Sequence, residues 1–344
     1  MEYLFNDVLE IKNGKNQKLV ENPEGLYPIY GSGGIIGYAD KYICEANTVI
    51  IGRKGSINNP IYVSEPFWNV DTAFGLSPKQ DILLPRYLFY FCKNYNFEKL
   101  NKTVTIPSLT KADLLKIQID LPSIDEQRRI VDKLIKVETI INLRNYQVQQ
   151  LDDLIKARFV ELFGNPARNM NNYPKKRFDE LCENLDSKRK PITASVREAG
   201  NYPYYGASGI VDYVADYIFD EDILLVSEDG ANLLMRSTPI AFSVSGKVWV
   251  NNHAHVVRFK NIYMQKYIEI YFSMIDISDQ ITGSAQPKLN QARLNALEFT
   301  VPEDALLLEY YDFVAQIDKS KATVQKALDE TQILFDNLMQ QYFG

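Results

Sequence analysis

Residues 27–38, YPIYGSGGIIGY, return as YPYYGASGIVDY at residues 202–213, a shift of 175 residues. The two tryptophans, Trp68 and Trp249, also stand in matching contexts, at a shift of 181 residues. Two more blocks recur at a shift of 180 residues: PSL at 107–109 with PKL at 287–289, and ELFG at 161–164 with QYFG at 341–344. Four blocks in the same order at a nearly constant offset indicate an internal duplication.

Each copy ends in a long segment without glycine or proline. Apolar residues recur there every seven positions, a pattern typical of a coiled-coil seam. The predicted seam residues are Leu134, Ile141, Val148 and Ile155 in the first copy, and Val314, Leu328 and Phe335 in the second. We therefore predict two spacer helices, at 123–164 and 303–344, each about 60 Å long at ~1.5 Å per residue. The alternative is that each helix packs only on its own module.

The segments before the helices are predicted to be compact modules. Runs rich in Ile, Val and Tyr, such as residues 48–52 and 223–226, alternate with Gly, Asn, Asp and Pro, which is typical of strands and turns. Short helices are expected at 86–95 and 264–275. The predicted fold class is α+β: two pseudo-symmetric α/β modules, each followed by a long coiled-coil helix. The modules are placed at 1–122 and 165–302, with a polar connector at 165–175.

Composition restricts the class of protein without deciding its partner. The chain is 46% hydrophobic and 24% charged, as in globular proteins. Its net charge is −6, but residues 303–344 alone carry eight acidic and three basic residues, so the rest is close to neutral and can still meet nucleic acid. The N-terminus has no signal-peptide pattern, no apolar run could cross a membrane, and three cysteines are widely spaced. We expect a cytoplasmic chain with reduced thiols and no membrane contact.

Motifs that could carry chemistry are weak. Residues 31–37, GSGGIIG, lack the G-x-G-x-x-G spacing and fit a turn entering a strand. Residues 59–62, NPIY, lack the second proline and the glycine-rich cofactor loop of adenine methyltransferases. His253 and His255 have no cysteine or carboxylate cluster nearby in the sequence, so we expect structural packing or a polar role in the core for them. Because Asp229 is far from Lys288 along the chain, we expect no nuclease site. No catalytic residue, metal or cofactor is predicted.

Two loops of each module carry side chains suited to nucleic acid. The first loop, GRKGSINN at 52–59, has its counterpart in the acidic SEDGAN at 227–232. The second loops lie at 102–108 and 282–290. A carboxylate can accept from cytosine but repels phosphate, so the two copies should read different sequences. The candidate contacts are Arg53, Lys54, Ser56, Asn58, Lys102, Thr103, Thr105 and Ser108 in the first copy, and Asn232, Arg236, Ser284, Gln286, Lys288 and Asn290 in the second. By composition alone, these segments could also be ordinary solvated loops.

The chain resembles the specificity (HsdS-type) subunit of type I restriction-modification systems. The resemblance covers nearly the whole chain, in the order module, helix, module, helix. It is carried by IGRKGS at 51–56, FWNVDT at 67–72, LP at 121–122 followed by EQRRI at 126–130, and WVNNHAH at 249–255. The second copy departs at residues 303–308, EDALLL, where the pattern Pro-x-x-x-Glu-Gln-x-x-Ile is degraded.

The resemblance implies a non-catalytic subunit whose modules are target-recognition domains, each reading one half of a split site in double-stranded DNA. It implies two methyltransferase subunits as partners, and a restriction/translocase subunit can join them. S-adenosylmethionine, ATP and magnesium would belong to those partners. It also implies that the two α/β modules are separated by two long antiparallel coiled-coil helices. These would set the gap between the half-sites, roughly one helical turn (~34–36 Å) or more. The alternatives are a free-standing two-module DNA-binding regulator, which would bind tightly without a methyltransferase, and a pure coiled-coil scaffold.

Overall fold

The chain forms two compact units in a computed structural model that describes residues 1–101, 106–169, 171–283 and 285–344. Unit 1 consists of Met1–Tyr146 with Gln325–Gly344, and unit 2 is Gln147–Val324. Each unit therefore contains one α/β module and a segment of both long helices. Among the described residues, no helix is long and apolar enough to cross a membrane.

The first copy runs from a short strand to the first long helix. Its elements are β1 (Glu2–Leu4), α1 (Phe5–Val8), β2 (Leu9–Asn13), β3 (Tyr27–Gly31), β4 (Gly34–Ala39), β5 (Thr48–Gly52), β6 (Ile61–Val63), β7 (Trp68–Asn69), β8 (Ala73–Pro78), α2 (Pro85–Asn94), α3 (Lys111–Leu114), β9 (Gln118–Asp120) and α4 (Ile124–Phe163). A 3-10 turn follows α2 at Phe97–Leu100.

The second copy repeats this order with small additions. Its elements are β10 (Lys175–Arg177), α5 (Phe178–Leu181), β11 (Cys182–Asn184), β12 (Ala199–Gly206), β13 (Gly209–Val214), β14 (Phe219–Asp220), β15 (Ile223–Ser227), α6 (Asn232–Met235), β16 (Ala241–Val244), β17 (Lys247–Val250), β18 (Ala254–Phe259), α7 (Ile262–Met274), α8 (Gln291–Asn295), β19 (Glu298–Thr300) and α9 (Asp304–Phe343). The helix expected at 264–275 begins two residues earlier, and the one expected at 86–95 begins and ends one residue earlier.

The same sheet arrangement recurs in the two units. Unit 1 has an antiparallel sheet in the order β2-β8-β5-β6, a second sheet in the order β4-β3-β7, and the pair β1-β9. Unit 2 has β11-β18-β15-β16, then β13-β12-β17-β14, and the pair β10-β19. Two interior strands, β5 and β15, are buried at every residue, as their apolar runs at 49–51 and 223–226 predict. These matching sheets confirm the predicted α+β class and its pseudo-symmetry.

The two long helices run antiparallel to each other within each unit. In unit 1, Lys133 on α4 donates to the Tyr342 hydroxyl at 3.2 Å, while Arg144, further along α4, reaches back to Thr331. In unit 2, the Tyr310 hydroxyl donates to the Ile155 carbonyl at 3.1 Å. The predicted pairing of the helices is therefore present in both units.

The predicted seam residues line these helix pairs. Leu134, Ile155, Val314 and Phe335 are buried, and the other three are half-buried: Ile141, Val148 and Leu328. Polar residues that interrupt the heptad pattern make bonds between the helices. Arg144 donates to Thr331 and to the Ala327 carbonyl in unit 1. In unit 2, Arg158 pairs with Glu309 at 2.6 Å, and Lys321 pairs with Asp152.

A buried glutamine attaches α4 to the module of unit 1. The Gln127 side chain is fully buried; its oxygen accepts from the Leu84 amide at 2.9 Å, and its nitrogen donates to the carbonyls of Ile82 (2.8 Å) and Pro122 (3.1 Å). The Leu84 amide lies at the N-terminus of α2, where backbone donors have no helical partner. In the second copy the corresponding residue is Leu307, which is buried in an apolar core. The degraded motif at 303–308 therefore has a buried leucine where the first copy has the glutamine.

Replacing Gln127 with alanine should lower the free energy of unfolding by about 2–4 kcal/mol, because one buried amide and two carbonyls lose their partner. Urea unfolding of the full chain, followed by tryptophan fluorescence, measures the change. Gln150, which is exposed on the same helix, supplies the matched control Gln150→Ala, for which we expect less than about 0.5 kcal/mol. Equal losses in the two variants would contradict this role.

Candidate nucleic-acid interface

The two candidate loops of unit 1 lie against each other. The Gly55 amide donates to the Pro107 carbonyl at 3.0 Å, and the Leu109 amide donates to the Arg53 carbonyl at 3.0 Å. Lys54 and Ser108 form the bridge between these two bonds. We call residues 53–55 with 107–109 the first loop pair.

Unit 2 contains the same arrangement. The Gly230 amide donates to the Pro287 carbonyl at 3.0 Å, the Leu289 amide donates to the Glu228 carbonyl at 2.8 Å, and Asp229 bridges to Lys288. Residues 228–230 with 287–289 are the second loop pair. Asp229 and Lys288 are thus neighbours although they are far apart along the chain, because sequence separation says nothing about contact across two loops.

The first loop pair and the residues that follow Gly55 present exposed cations and small polar groups. Arg53, Lys54, Ser56 and Asn58 are exposed. Within the described part of the chain, no carboxylate lies within ion-pair distance of Arg53 or Lys54, and the Arg53 guanidinium stands 5.8 Å from the centre of the Phe74 ring. Asn58 also has a structural bond, since its amide oxygen accepts from the Phe97 amide at 2.7 Å. The outward cations of this loop pair therefore remain available to a ligand.

Four candidate residues lie outside the described residues: Lys102, Thr103, Thr105 and Ser284. Of their neighbours, Ser108 receives a backbone anchor, because its amide donates to the Asn101 side chain at 3.1 Å. Gln286 and Lys288 are exposed in unit 2.

A charged network lies under the second loop pair. Glu228 accepts from Arg189 at 2.7 Å and pairs with the Lys288 ammonium at 3.1 Å. Asp186 contacts His255 Nδ1 at 2.6 Å, and Arg189 lies 3.3 Å from the same carboxylate. Asp186 and Glu228 keep only 9% and 13% of their side-chain surface exposed. The acidic second loop is thus largely neutralised from within the protein.

The expectation that no carboxylates accompany the histidines is wrong. Oxygens of Asp186 and Glu228 and a nitrogen of His255 all lie within 4.8 Å of one another. His255 itself is 1% exposed, and its Nε2 lies 2.8 Å from the Leu289 carbonyl. Both ring nitrogens face acceptors and Arg189 binds both carboxylates, so these contacts describe an ion-pair network. Through the contact of His255 with the Leu289 carbonyl, this network holds the backbone of the second loop pair in place.

The neighbouring histidine is different. His253 is half exposed, and its Nδ1 lies 2.9 Å from Asp229. Thr72 occupies its place in unit 1, since the Arg53 amide donates to the Thr72 carbonyl and the Glu228 amide donates to the His253 carbonyl. His253 is therefore an accessible part of the second loop pair.

The two loop pairs share a frame and differ in chemistry. Phe74 pairs with Ile51 across β8 and β5, just as His255 pairs with Val226 across β18 and β15. Where unit 1 has Arg53 beside the Phe74 ring, unit 2 has Glu228 beside His255. A cation next to an aromatic ring is thus replaced by a carboxylate in a salt-bridge network.

Comparisons with known proteins give the same assignment for both copies. The family described as the type I restriction modification DNA specificity domain matches residues 2–152 and 170–333, most of the chain. The chain belongs to this specificity-domain family. A crystal structure of the S subunit of a type I restriction-modification system from M. genitalium shares its fold, with a TM-score of 0.66 and 18% identity over 100% of this chain and 96% of that one.

Relatives in sequence carry specificity-subunit names. S.HindORF215P of Haemophilus influenzae, which its name assigns to the type I specificity subunits, is 35% identical over 127 residues, or 37% of this chain and 32% of that protein. The MjaVIII specificity subunit of Methanocaldococcus jannaschii is 24% identical over 265 residues, or 70% of this chain and 62% of that protein. The matched part is thus less than two thirds of either relative.

Three other candidates of this specificity-domain chain have structural partners in unit 2. The Asn232 side chain accepts from the Thr238 amide at 3.0 Å, and Asn290 caps α8 by accepting from the Arg293 amide at 3.0 Å. The Arg236 guanidinium donates to the carbonyls of Phe272 (3.0 Å) and Ile275 (3.3 Å) at the end of α7. These bonds do not support the prediction that Arg236 contacts DNA, because its donors are already directed at protein carbonyls.

The sequence missed Arg189, which holds both carboxylates of the network. Its partners Glu228 and Ala254 are 39 and 65 residues away, so no local pattern marks it. An indirect clue to its position lies in the next residue. Lys190 corresponds to Lys15 of the first copy, since the Trp249 ring nitrogen donates to the Lys190 carbonyl and the Trp68 ring nitrogen donates to the Lys15 carbonyl.

The network lowers the pKa of its two carboxyl groups. Burial raises the pKa of Asp186, but the hydrogen bond and charge of His255, the Val256 amide and Arg189 outweigh it, so the pKa lies below the usual value. Burial also raises the pKa of Glu228, and its bonds to Arg189 and Lys288 with the charge of His255 bring it below the usual value.

Unit 2 should lose stability as the pH falls below about 4–5, the range in which these carboxyl groups titrate in an unfolded chain. Because the folded pKa values are lowered, the contribution is complete above the unfolded values and disappears as the pH falls through the folded ones. In the full chain, Glu228→Gln should lower stability at pH 7 by about 2 kcal/mol and flatten the fall at acid pH. Urea midpoints between about pH 7 and pH 3 measure both effects.

Asp216, an exposed carboxylate of the same unit, provides the matched control. Asp216→Asn should keep the wild-type pH dependence. If Glu228→Gln loses stability toward acid pH as steeply as the wild type, the network is not the source of the effect.

Proposed function

We propose that this chain is the non-catalytic DNA-reading subunit of a type I restriction-modification complex, and that its two units read the two halves of an asymmetric, bipartite site in double-stranded DNA. The observation that carries the proposal is the recurrence of one loop-pair frame with different side chains. A shared frame suits two contacts of the same kind, and different side chains suit different base sequences.

Charge suggests how the two half-sites would be held. Arg53 and Lys54 are exposed cations without a partner carboxylate in the described residues, the chemistry that binds phosphate. In unit 2, the Glu228 carboxylate is paired with Arg189 and Lys288, and Asp229 lies beside His253, so this loop pair presents fewer unpaired cations than the first. Binding of the first half-site would therefore depend more strongly on salt than binding of the second.

The partners of the proposed complex supply its chemistry. Two methyltransferase subunits would carry S-adenosylmethionine and methylate adenines, and a restriction/translocase subunit would use ATP and magnesium. This chain would contribute sequence recognition, consistent with the specificity-subunit names of its relatives. Its binding to DNA alone should be weak and poorly specific.

The decisive experiment is to co-express the chain with the methyltransferase subunit of its own system and map methylated adenines across the genome. A bipartite motif with a fixed gap is the expected result. A continuous motif, or no methylation that depends on this chain, would overturn the proposal. Tight sequence-specific binding without a methyltransferase would favour the free-standing regulator instead.

Replacing Arg53 and Lys54 together with alanine should weaken binding to the first half-site and lower the salt dependence by about two phosphate contacts, since each contributes a slope of about 0.9 in log K against log salt. Fluorescence anisotropy from about 50 to 200 mM salt measures this on the assembled methyltransferase. Duplexes with one half-site scrambled assign the loss to the first half-site.

The variant Arg128→Ala with Arg129→Ala removes the same charge from exposed, locally paired arginines on α4. It should leave the salt slope unchanged. Equal slopes in the two double variants and the wild type would exclude phosphate contact by Arg53 and Lys54.

A further inference from the structure

The hairpin next to each loop pair exposes an apolar patch in both units. The first hairpin is β3–β4 and the second is β12–β13. Ile35, Ile36 and Tyr38 of the first are 52%, 55% and 45% exposed. The corresponding residues of the second are Ile210, Val211 and Tyr213, at 47%, 56% and 51%. Single exposed apolar residues are common, but a cluster that recurs in both copies needs an explanation.

A β-bulge produces the exposure of two consecutive side chains. In a regular strand neighbouring residues face opposite sides. The register between β3 and β4 slips between Ile29 and Tyr30, so that Ile36 is the extra residue. The register between β12 and β13 slips at the matching place and leaves Val211 extra. Bulges re-aim side chains, and this one turns an apolar pair outward in both units.

Each hairpin turn lies against the residue that precedes a loop pair. In unit 2 the Ser227 hydroxyl, just before Glu228, donates to the carbonyl of Ala207 in the turn at 2.5 Å. In unit 1 a Cβ on Gly52, just before Arg53, would stand 3.2 Å from the Ser32 side chain in the turn. The turn of each hairpin is therefore next to the strand end that leads into a loop pair.

The charge of the hairpins argues against phosphate as their partner. Residues 27–39 contain no charged side chain, and residues 199–214 contain Asp212 as the charged residue of β13 and no lysine or arginine. A surface that binds the DNA backbone needs cations. The centre of a protein–protein interface is more apolar than the rest of the surface and is enriched in aromatic residues, so an exposed Tyr beside apolar Ile and Val suits such a centre.

The recurrence of the patch identifies the kind of protein. The loop pairs differ between the units, as reading of an asymmetric DNA site requires, whereas the hairpins present the same apolar pair. A surface repeated in both copies fits a partner that is itself present in two identical copies. In the proposed complex that partner is the methyltransferase subunit.

We propose that each hairpin docks one methyltransferase subunit through its apolar pair, Ile35–Ile36 in unit 1 and Ile210–Val211 in unit 2. The subunit would present a complementary apolar surface and would be held directly beside the loop pair that reads the corresponding half-site. This inference rests on the proposed function, because it takes the methyltransferase subunit as the partner.

The test counts methyltransferase subunits on the full chain by native mass spectrometry after co-expression. The wild type should carry two. Ile35→Ser with Ile36→Ser should carry one, as should Ile210→Ser with Val211→Ser, and the fourfold variant should carry none at concentrations where the wild type is saturated. Titration should show a loss of affinity of at least about tenfold per hairpin.

Two controls separate docking from folding. Ile36→Val introduces the residue found at Val211 and should keep two methyltransferase subunits. Leu19→Ser removes a leucine that is 98% exposed outside the hairpin and should also keep two. Unchanged circular dichroism and thermal midpoints in the serine variants would show that the fold is intact.

Two methyltransferase subunits on the fourfold variant would overturn the proposal. If that variant keeps both subunits and loses affinity for its methylation site, the hairpins contact DNA instead. Either of these two results would contradict the docking proposal and leave the proposed function unaffected. A wild-type chain that binds no methyltransferase and directs no methylation would remove the proposed function and this inference together.

Discussion

Neither unit can close its hydrophobic core without a segment of each long helix. The core of unit 1 includes Leu134 and Val137 from α4 and also Phe335 and Met339 from α9. The core of unit 2 includes Phe159 from α4 together with α9 residues such as Tyr310 and Val314. The last twenty residues of the chain thus complete the core of its first module. Removing them would expose apolar surface far away in sequence, where burial contributes about 25 cal/mol per Å².

This constraint explains where polar residues are tolerated in the helix seam. Arg144, Arg158 and Lys321 occupy heptad positions that would otherwise be apolar, and each binds the facing helix. A polar group at such a position is costly unless it finds a partner, so it favours one alignment of the helices over shifted ones. The apolar seam residues stabilise the helix pair, and the polar residues at these three positions favour one register of the two helices.

Because the helices and central strands hold the backbone of the loop pairs, the side chains of these loops can differ between the two copies. The same backbone hydrogen bonds join the two loops in each unit, although Arg53 stands where the other copy has Glu228. The replacement required compensation nearby, since a largely buried carboxylate needs partners, and Arg189, Lys288 and His255 provide them. The hairpins show the opposite behaviour, because their exposed apolar pair is kept in both copies.

The sequence by itself determined the duplication, the two long helices and the principal strands, because these depend on local periodicity and on comparison of the chain with itself. The strand at 48–52 and the long helices that end at Phe163 and Phe343 follow from such patterns. It also located the loops that form both loop pairs. Only the tertiary structure decided which side chains meet. The contacts of His255 with Asp186 and of Arg236 with the end of α7 join residues 69 and 36 positions apart, and the final helix segment belongs to the first module. Contacts between residues so far apart in the sequence depend on how the chain folds back on itself, and a short-range sequence pattern does not predict them.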